Sequence, residues 1–245
     1  MSNLFFPQLS TGALTQYPLK RTKVFTTTAV ECEDGTRSVY LDANGTRMQW
    51  DLSYAGLTVD EITALRNLFD ACCGRYRAFT FIDPTANLLG GTWTADALVQ
   101  RAGSVFTNAG TAVGEVRQTL PVPAGYTYCF SLSGNAAVNP GATLTLVRRG
   151  TATERQITLP ANTPRLVSSG SLYDAGTGLT VAVRLQPGQS VDISQAQLEA
   201  QPAPSPFRKA SNGVYANAHW AIDALSFTAQ GPNSFSTKFS IETHV

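Results

Sequence analysis

The chain has 245 residues, a formal net charge of +1, 43% hydrophobic and 14% charged residues. Near-neutral charge leaves no electrostatic footprint for nucleic-acid binding or an anionic membrane surface, and no apolar run approaches the roughly 20 residues of a membrane insertion. The low charged fraction argues against a disordered or coiled-coil chain, and the length exceeds the usual domain of roughly 100 to 150 residues, so two domains are expected.

The N-terminus MSNLFFPQLSTGA lacks the basic start, apolar run and cleavage site of a signal peptide, so the protein is expected to be made and kept in a cytoplasm until assembly or lysis. Lys23 to Val30 and Arg37 to Leu41 are rich in β-branched and aromatic residues, with Asp34-Gly35 between them as a hairpin turn signal. Asn44-Gly45 asks for a second turn before Met48 to Tyr54, so three strands in a meander are expected.

A helix follows. Thr58 and Glu61 form a capping-box pattern that starts it at Val59, and Ile62, Leu65, Phe69 and Cys72 recur at helical spacing on one face. Gly74 suits a left-handed cap, with Arg75 and Arg77 near the negative end of the helix. Phe79 and Phe81 alternate as in a strand, which Pro84 stops by removing a backbone donor. Asp83 is expected to organise that turn through its side chain.

From Asn87 to Pro206, short strand-like runs alternate with turn clusters, which favours a β-sandwich or jelly roll. The expected strands are Val113 to Leu120, Tyr126 to Ser133, Ala142 to Arg148, Arg155 to Leu159, Pro164 to Ser171, Thr180 to Leu185 and Ser190 to Leu198. Gln201 to Pro206 reads as a stiff connector. Tyr215 to Trp220, Ala224 to Thr228 and Ser234 to Glu242 read as strands, and in the last Phe235, Thr237, Phe239 and Ile241 share a face that needs a sheet to join.

The expected fold is therefore mainly β: a small β-rich α+β domain (1–85 plus 212–245), meander plus one helix completed by C-terminal strands, with an inserted jelly roll (86–211). This arrangement requires Pro84 and Ser211 to be neighbours.

Trp50-x-Leu52-x-Tyr54, Leu57, Leu65, Phe69, Gly74 and Phe79-x-Phe81-x-Asp83-Pro84 together resemble the distal tail family of phage tail tips, which includes the distal tail protein of gene transfer agents. Asn87-Leu88-Leu89, Trp93, Gln118, Tyr128-x-Phe130-Ser131, Ala196-Gln197-Leu198-Glu199 and Pro206-Phe207-Arg208 are similar to jelly-roll modules of phage tail proteins related to carbohydrate-binding modules. The resemblance implies a virion component of the tail tip or baseplate, a homo-oligomer forming a ring, commonly a hexamer, at the end of the tail tube. Tail tube protein, baseplate hub and tape-measure proteins are the implied partners.

Candidate sites are few. Trp93, Tyr126 and Tyr173 are glycan-contact candidates for the module, since aromatic faces stack on sugars; alternating aromatics such as Tyr128 and Phe130 fit a sandwich core instead. Phe5 and Phe6, in the N-terminal arm, are candidates for subunit contact or for local packing. The alternative function is a host-surface glycan-binding module of an adhesion protein, and the third a glycosidase-like enzyme, whose carboxylates would come from Asp51, Asp60, Glu61, Asp70 and Asp83. Each of these carboxylates also has a surface, cap or turn role. His219 and His244 with Cys32, Cys72, Cys73 and Cys129 lack metal-ligand spacing, so no metal or cofactor is expected, and the cysteines read as reduced thiols with Cys72 in the core.

Overall fold

The computed structural model describes residues 4–123, 125–132, 143–149, 154–160, 165–168, 178–211 and 213–244. The chain is mainly β with one helix, and divides into two compact units. The first comprises Met1–Ser10, Leu14–Phe81 and Tyr215–Val245, and the second Thr11–Ala13 with Ile82–Val214.

The chain opens with β1 (Lys20–Glu31) and β2 (Arg37–Leu57), which pair antiparallel around the Asp34-Gly35 turn. Asp34 accepts both the amide and the hydroxyl of Thr36, and Gly35 takes φ 81°, a conformation that glycine adopts without a Cβ clash. The three-strand meander needs correction: β2 runs unbroken through Asn44-Gly45. Val24 faces Arg47 and Thr26 faces Asp42, so the extra residues of β2 form a bulge. Asp42 captures the Asn44 amide, the Thr26 hydroxyl donates to the Gly45 carbonyl, and His244 reaches the Asn44 carbonyl. These bonds replace those a hairpin turn would make.

Helix α1 (Val59–Cys72) begins at a complete capping box, Thr58 with Glu61. Its buried face is Ile62, Leu65, Leu68 and Cys72; Phe69 is only half-buried, with its ring edge-on to Trp220 at 5.4 Å. Cys73 (φ 52°) shares the left-handed cap with Gly74 (φ 65°). Arg75 contacts Asp223 at 3.0 Å and the Ala221 carbonyl at 2.9 Å. Strand β3 (Phe79–Ile82) follows.

In the second unit come β4 (Thr94–Ala95), β5 (Val99–Ala102), β6 (Val105–Asn108), β7 (Gly114–Leu120), β8 (Tyr128–Leu132), β9 (Thr143–Arg149), β10 (Glu154–Pro160), β11 (Arg165–Ser168), β12 (Leu179–Leu185), β13 (Ser190–Asp192) and β14 (Ala196–Glu199). They form antiparallel sheets in the orders β10-β9-β12-β7-β4, β11-β8-β14 and β13-β6-β5. The segment Ser190 to Leu198 is thus two strands in different sheets, broken where Asp192 binds the Ser194 amide. The ends of expected strands at 133, 142, 164 and 169–171 lie outside the described residues.

The chain then returns as β15 (Val214–Trp220), β16 (Thr228–Gly231) and β17 (Ser234–His244). The strand expected at Ala224 to Thr228 forms later, at β16. The first unit's sheet has the order β1-β2-β17-β15-β3, with β16 also on β17. Trp50, Ile241 and Trp220 lie side by side on β2, β17 and β15, all fully buried. Each such side chain contributes on the order of 2–3 kcal/mol by leaving water.

Candidate interaction surface

Strand alternation divides the first unit's sheet into two unlike faces. Trp50, Leu52, Tyr54, Phe239 and Ile241 are buried, and the Tyr54 hydroxyl donates to the Leu14 carbonyl at 2.9 Å. Burial pushes the Tyr54 phenol far above its usual range. On the other face Asp51, Ser53, Lys238 and Ser240 line an open groove of about 500 Å³ with Pro18 and Ile222. The Ser240 hydroxyl and the Gln49 amide hold the Asp51 carboxyl below its ordinary value, and Lys20 stands 3.8 Å away. That face is a polar, solvated surface.

The outer half of the β1–β2 hairpin differs from both faces. Strand β17 accompanies β2 from Leu57 to Arg47 and ends there, while Thr26 to Glu31 continue to pair with Asp42 to Arg37. In this ribbon every residue is exposed except the half-buried Ser38. Yet its side chains include Val30 (47% exposed), Val39 (60%), Tyr40 (63%) and Leu41 (58%), with Phe25 (54%) at its base. Val39 and Leu41 point to one side of the ribbon and Tyr40 to the other, so neither side is polar. A two-stranded ribbon on its own is marginally stable in water, and clustered exposed apolar groups mark contact surfaces. The sequence signal was present: Val39-Tyr40-Leu41 is an unbroken apolar run where a half-solvated strand would alternate.

Other candidate residues fall elsewhere. Phe6 is 2% exposed, and its ring meets Phe79, Phe81, Trp220 and Phe239, with centroids 5.4–6.2 Å apart. It fills the first unit's core, which removes it as a surface contact. Phe5 is half-buried and bridges Thr80. Trp93 is half-buried just before β4, and Tyr126 is half-buried, its phenol pushed far above the usual range by burial. Tyr128 is buried and its hydroxyl donates to the Pro123 carbonyl at 2.7 Å. Tyr173 lies outside the described residues.

The carboxylates have local tasks. Glu61 completes the helix cap and accepts both the amide and hydroxyl of Ser10; Asp83 accepts the amide and hydroxyl of Thr85; Asp60 and Asp70 are exposed on α1. His219 contacts the Arg75 carbonyl at 3.1 Å. Among the described residues, no three His, Cys, Asp or Glu side chains converge as a metal site, and no helix is long and apolar enough to cross a membrane.

The residues similar to jelly-roll modules make a buried polar clamp in the second unit. The Asn87 side-chain oxygen accepts the amides of Leu89 and Leu198, and its nitrogen donates to the carbonyls of Ala196 and Arg208. Gln197 accepts the Arg208 amide at 2.6 Å, while Glu199 accepts the amide and hydroxyl of Ser205. Each polar group is matched, which is the condition for burying it cheaply.

No family model matches the chain, and no curated protein matches it. Among solved structures it is similar to the carbohydrate-binding module TmCBM61, described in complex with beta-1,4-galactotriose, at 10% identity. That similarity covers 78% of this chain and 95% of the other, with a TM-score of 0.18. A similarity of this size transfers neither fold nor ligand.

Proposed function

We propose that this protein is a structural component of a long-tailed phage tail tip, of the distal-tail type, which works by subunit contact and not by chemistry. The observation that carries the reading is the β1–β2 ribbon, whose apolar side chains are exposed on both sides. Such a surface gains free energy when another protein covers it. The resemblance over Trp50 to Pro84 supplies the setting: a ring, with six copies as the family's common number, at the end of the tail tube, with tube, hub and tape-measure proteins as neighbours. Ring closure uses heterologous contacts between copies.

The test is the mass of the purified chain in solution, beside electron microscopy of the particle decorated with antibody against it. Label at the tail tip, and an oligomer that Tyr40→Ser with Leu41→Ser dissociates, support the reading. Absence from the particle overturns it. Glycan binding by the full chain without assembly would replace it with the binding-module reading.

A further inference from the structure

We infer that the outer edge of β1 pairs antiparallel with β1 of a second copy of this chain. This rests on the assembly reading and goes beyond it by naming a contact. Among the described residues β1 is the last strand of its sheet, with β2 on one side only. Its central run, Val24-Phe25-Thr26-Thr27-Thr28-Ala29-Val30, holds no charge, proline or glycine. Exposed edges are usually blunted by such residues, by short length or by cover; this edge is 12 residues long, and its bulge lies in β2. A β-branched, uncharged run of this kind is well suited to strand pairing.

Charge decides which occupant fits. Lys20, Arg21 and Lys23 stand at one end of β1, and Glu31, Glu33 and Asp34 at the other, beside Arg37. Two parallel copies would set like charges together. Two antiparallel copies related by a two-fold axis through Thr26 set Arg21 opposite the other copy's Glu31, with Lys20 beside its Glu31 and Glu33 and Lys23 diagonal to its Glu31. The edge is therefore self-complementary, as an isologous contact requires. Lys20 meets Asp51 and Glu31 faces Arg37 within the chain, but both of those partners belong to β2, on the inner side. The pairing is a different contact from the heterologous one that closes a ring, so the two can be separated.

The experiment uses the full chain and two charge-reversed forms, Lys20→Glu/Lys23→Glu and Glu31→Lys/Glu33→Lys. All four positions are exposed, and circular dichroism checks that the fold is kept. Sedimentation at low salt is expected to show dimers, or even-numbered assemblies, of the wild type. Each variant alone should self-associate about tenfold or more weakly, and an equimolar mixture should recover the association. Variants that associate like the wild type, or a mixture that recovers nothing, overturn the edge pairing. A ring that survives both variants overturns it while leaving the assembly reading in place, and a wild-type monomer at every concentration overturns the edge pairing, whereas the assembly reading falls only if the chain is absent from the particle.

Discussion

Asn87 and Leu198, 111 positions apart in the chain, are joined by a buried hydrogen bond in which the Asn87 side-chain oxygen accepts the Leu198 amide at 3.1 Å. The same side chain serves Leu89, Ala196 and Arg208, so its removal strands two amides and two carbonyls. Buried polar groups left without partners cost about 1–3 kcal/mol each, moderated by relaxation. Asn87→Ala is expected to lower stability by about 3 kcal/mol or more, read as a shift in the urea midpoint. An unchanged midpoint would show that water replaces the clamp.

Gly45 tests the bulge in β2. A methyl group there would meet the Thr26 Cβ at 2.7 Å and an Asp42 carboxylate oxygen at 2.8 Å. Gly45→Ala is expected to cost about 1–3 kcal/mol through overpacking, and to speed amide exchange in the ribbon. A hairpin turn at Asn44-Gly45 would instead leave Thr26 and its neighbours indifferent to the change.

Phe6 belongs to the core, so its truncation should act on folding and not on association. Phe6→Ala is expected to cost about 3–5 kcal/mol in denaturant unfolding. The folded fraction should keep the wild-type oligomeric state. Loss of assembly at unchanged stability would return Phe6 to the list of subunit contacts.

Glu61 gives a pH dependence with a definite sign. Burial pushes its carboxyl up, but hydrogen bonds from Thr58 and Ser10 outweigh that and hold it below its ordinary value. A carboxyl lowered on folding contributes stability that is present above its unfolded value, roughly 4.3, and lost as pH falls through the folded value. Glu61→Gln keeps acceptors for the cap but has no charge to lose. It should therefore melt below the wild type at neutral pH, and the gap should close as pH drops below about 4. A gap independent of pH would mean that the charge contributes nothing.

Helix α1 was legible because its signals are local: Thr58 and Glu61 fix its start, and Ile62 and Leu65 its face. Phe69 and Leu68 exchanged roles because neighbouring apolar positions differ only in what lies opposite, here Trp220. Asn44-Gly45 misled because its turn preference is local, whereas the bonds that hold it come from Thr26 and His244, 19 and 200 positions away. The short β4, β5 and β6 carry too few residues for an alternation to register. At the surface, the run Val39-Tyr40-Leu41 was visible as apolar, but its exposure follows from where β17 ends, which no local pattern records.

The Asp83 amide donates to the Gly213 carbonyl at 2.8 Å, and Asn87 bridges Ala210 in parallel. The long segment of the second unit, Ile82–Val214, thus enters and leaves through a doorway one strand-spacing wide. A polypeptide whose ends lie this close can be grafted into any hairpin, or cut and rejoined there, with a linker of a few residues. A protein engineer could therefore cut the chain at this doorway and join β3 to β15, neighbours in the first unit's sheet, through a linker of a few residues.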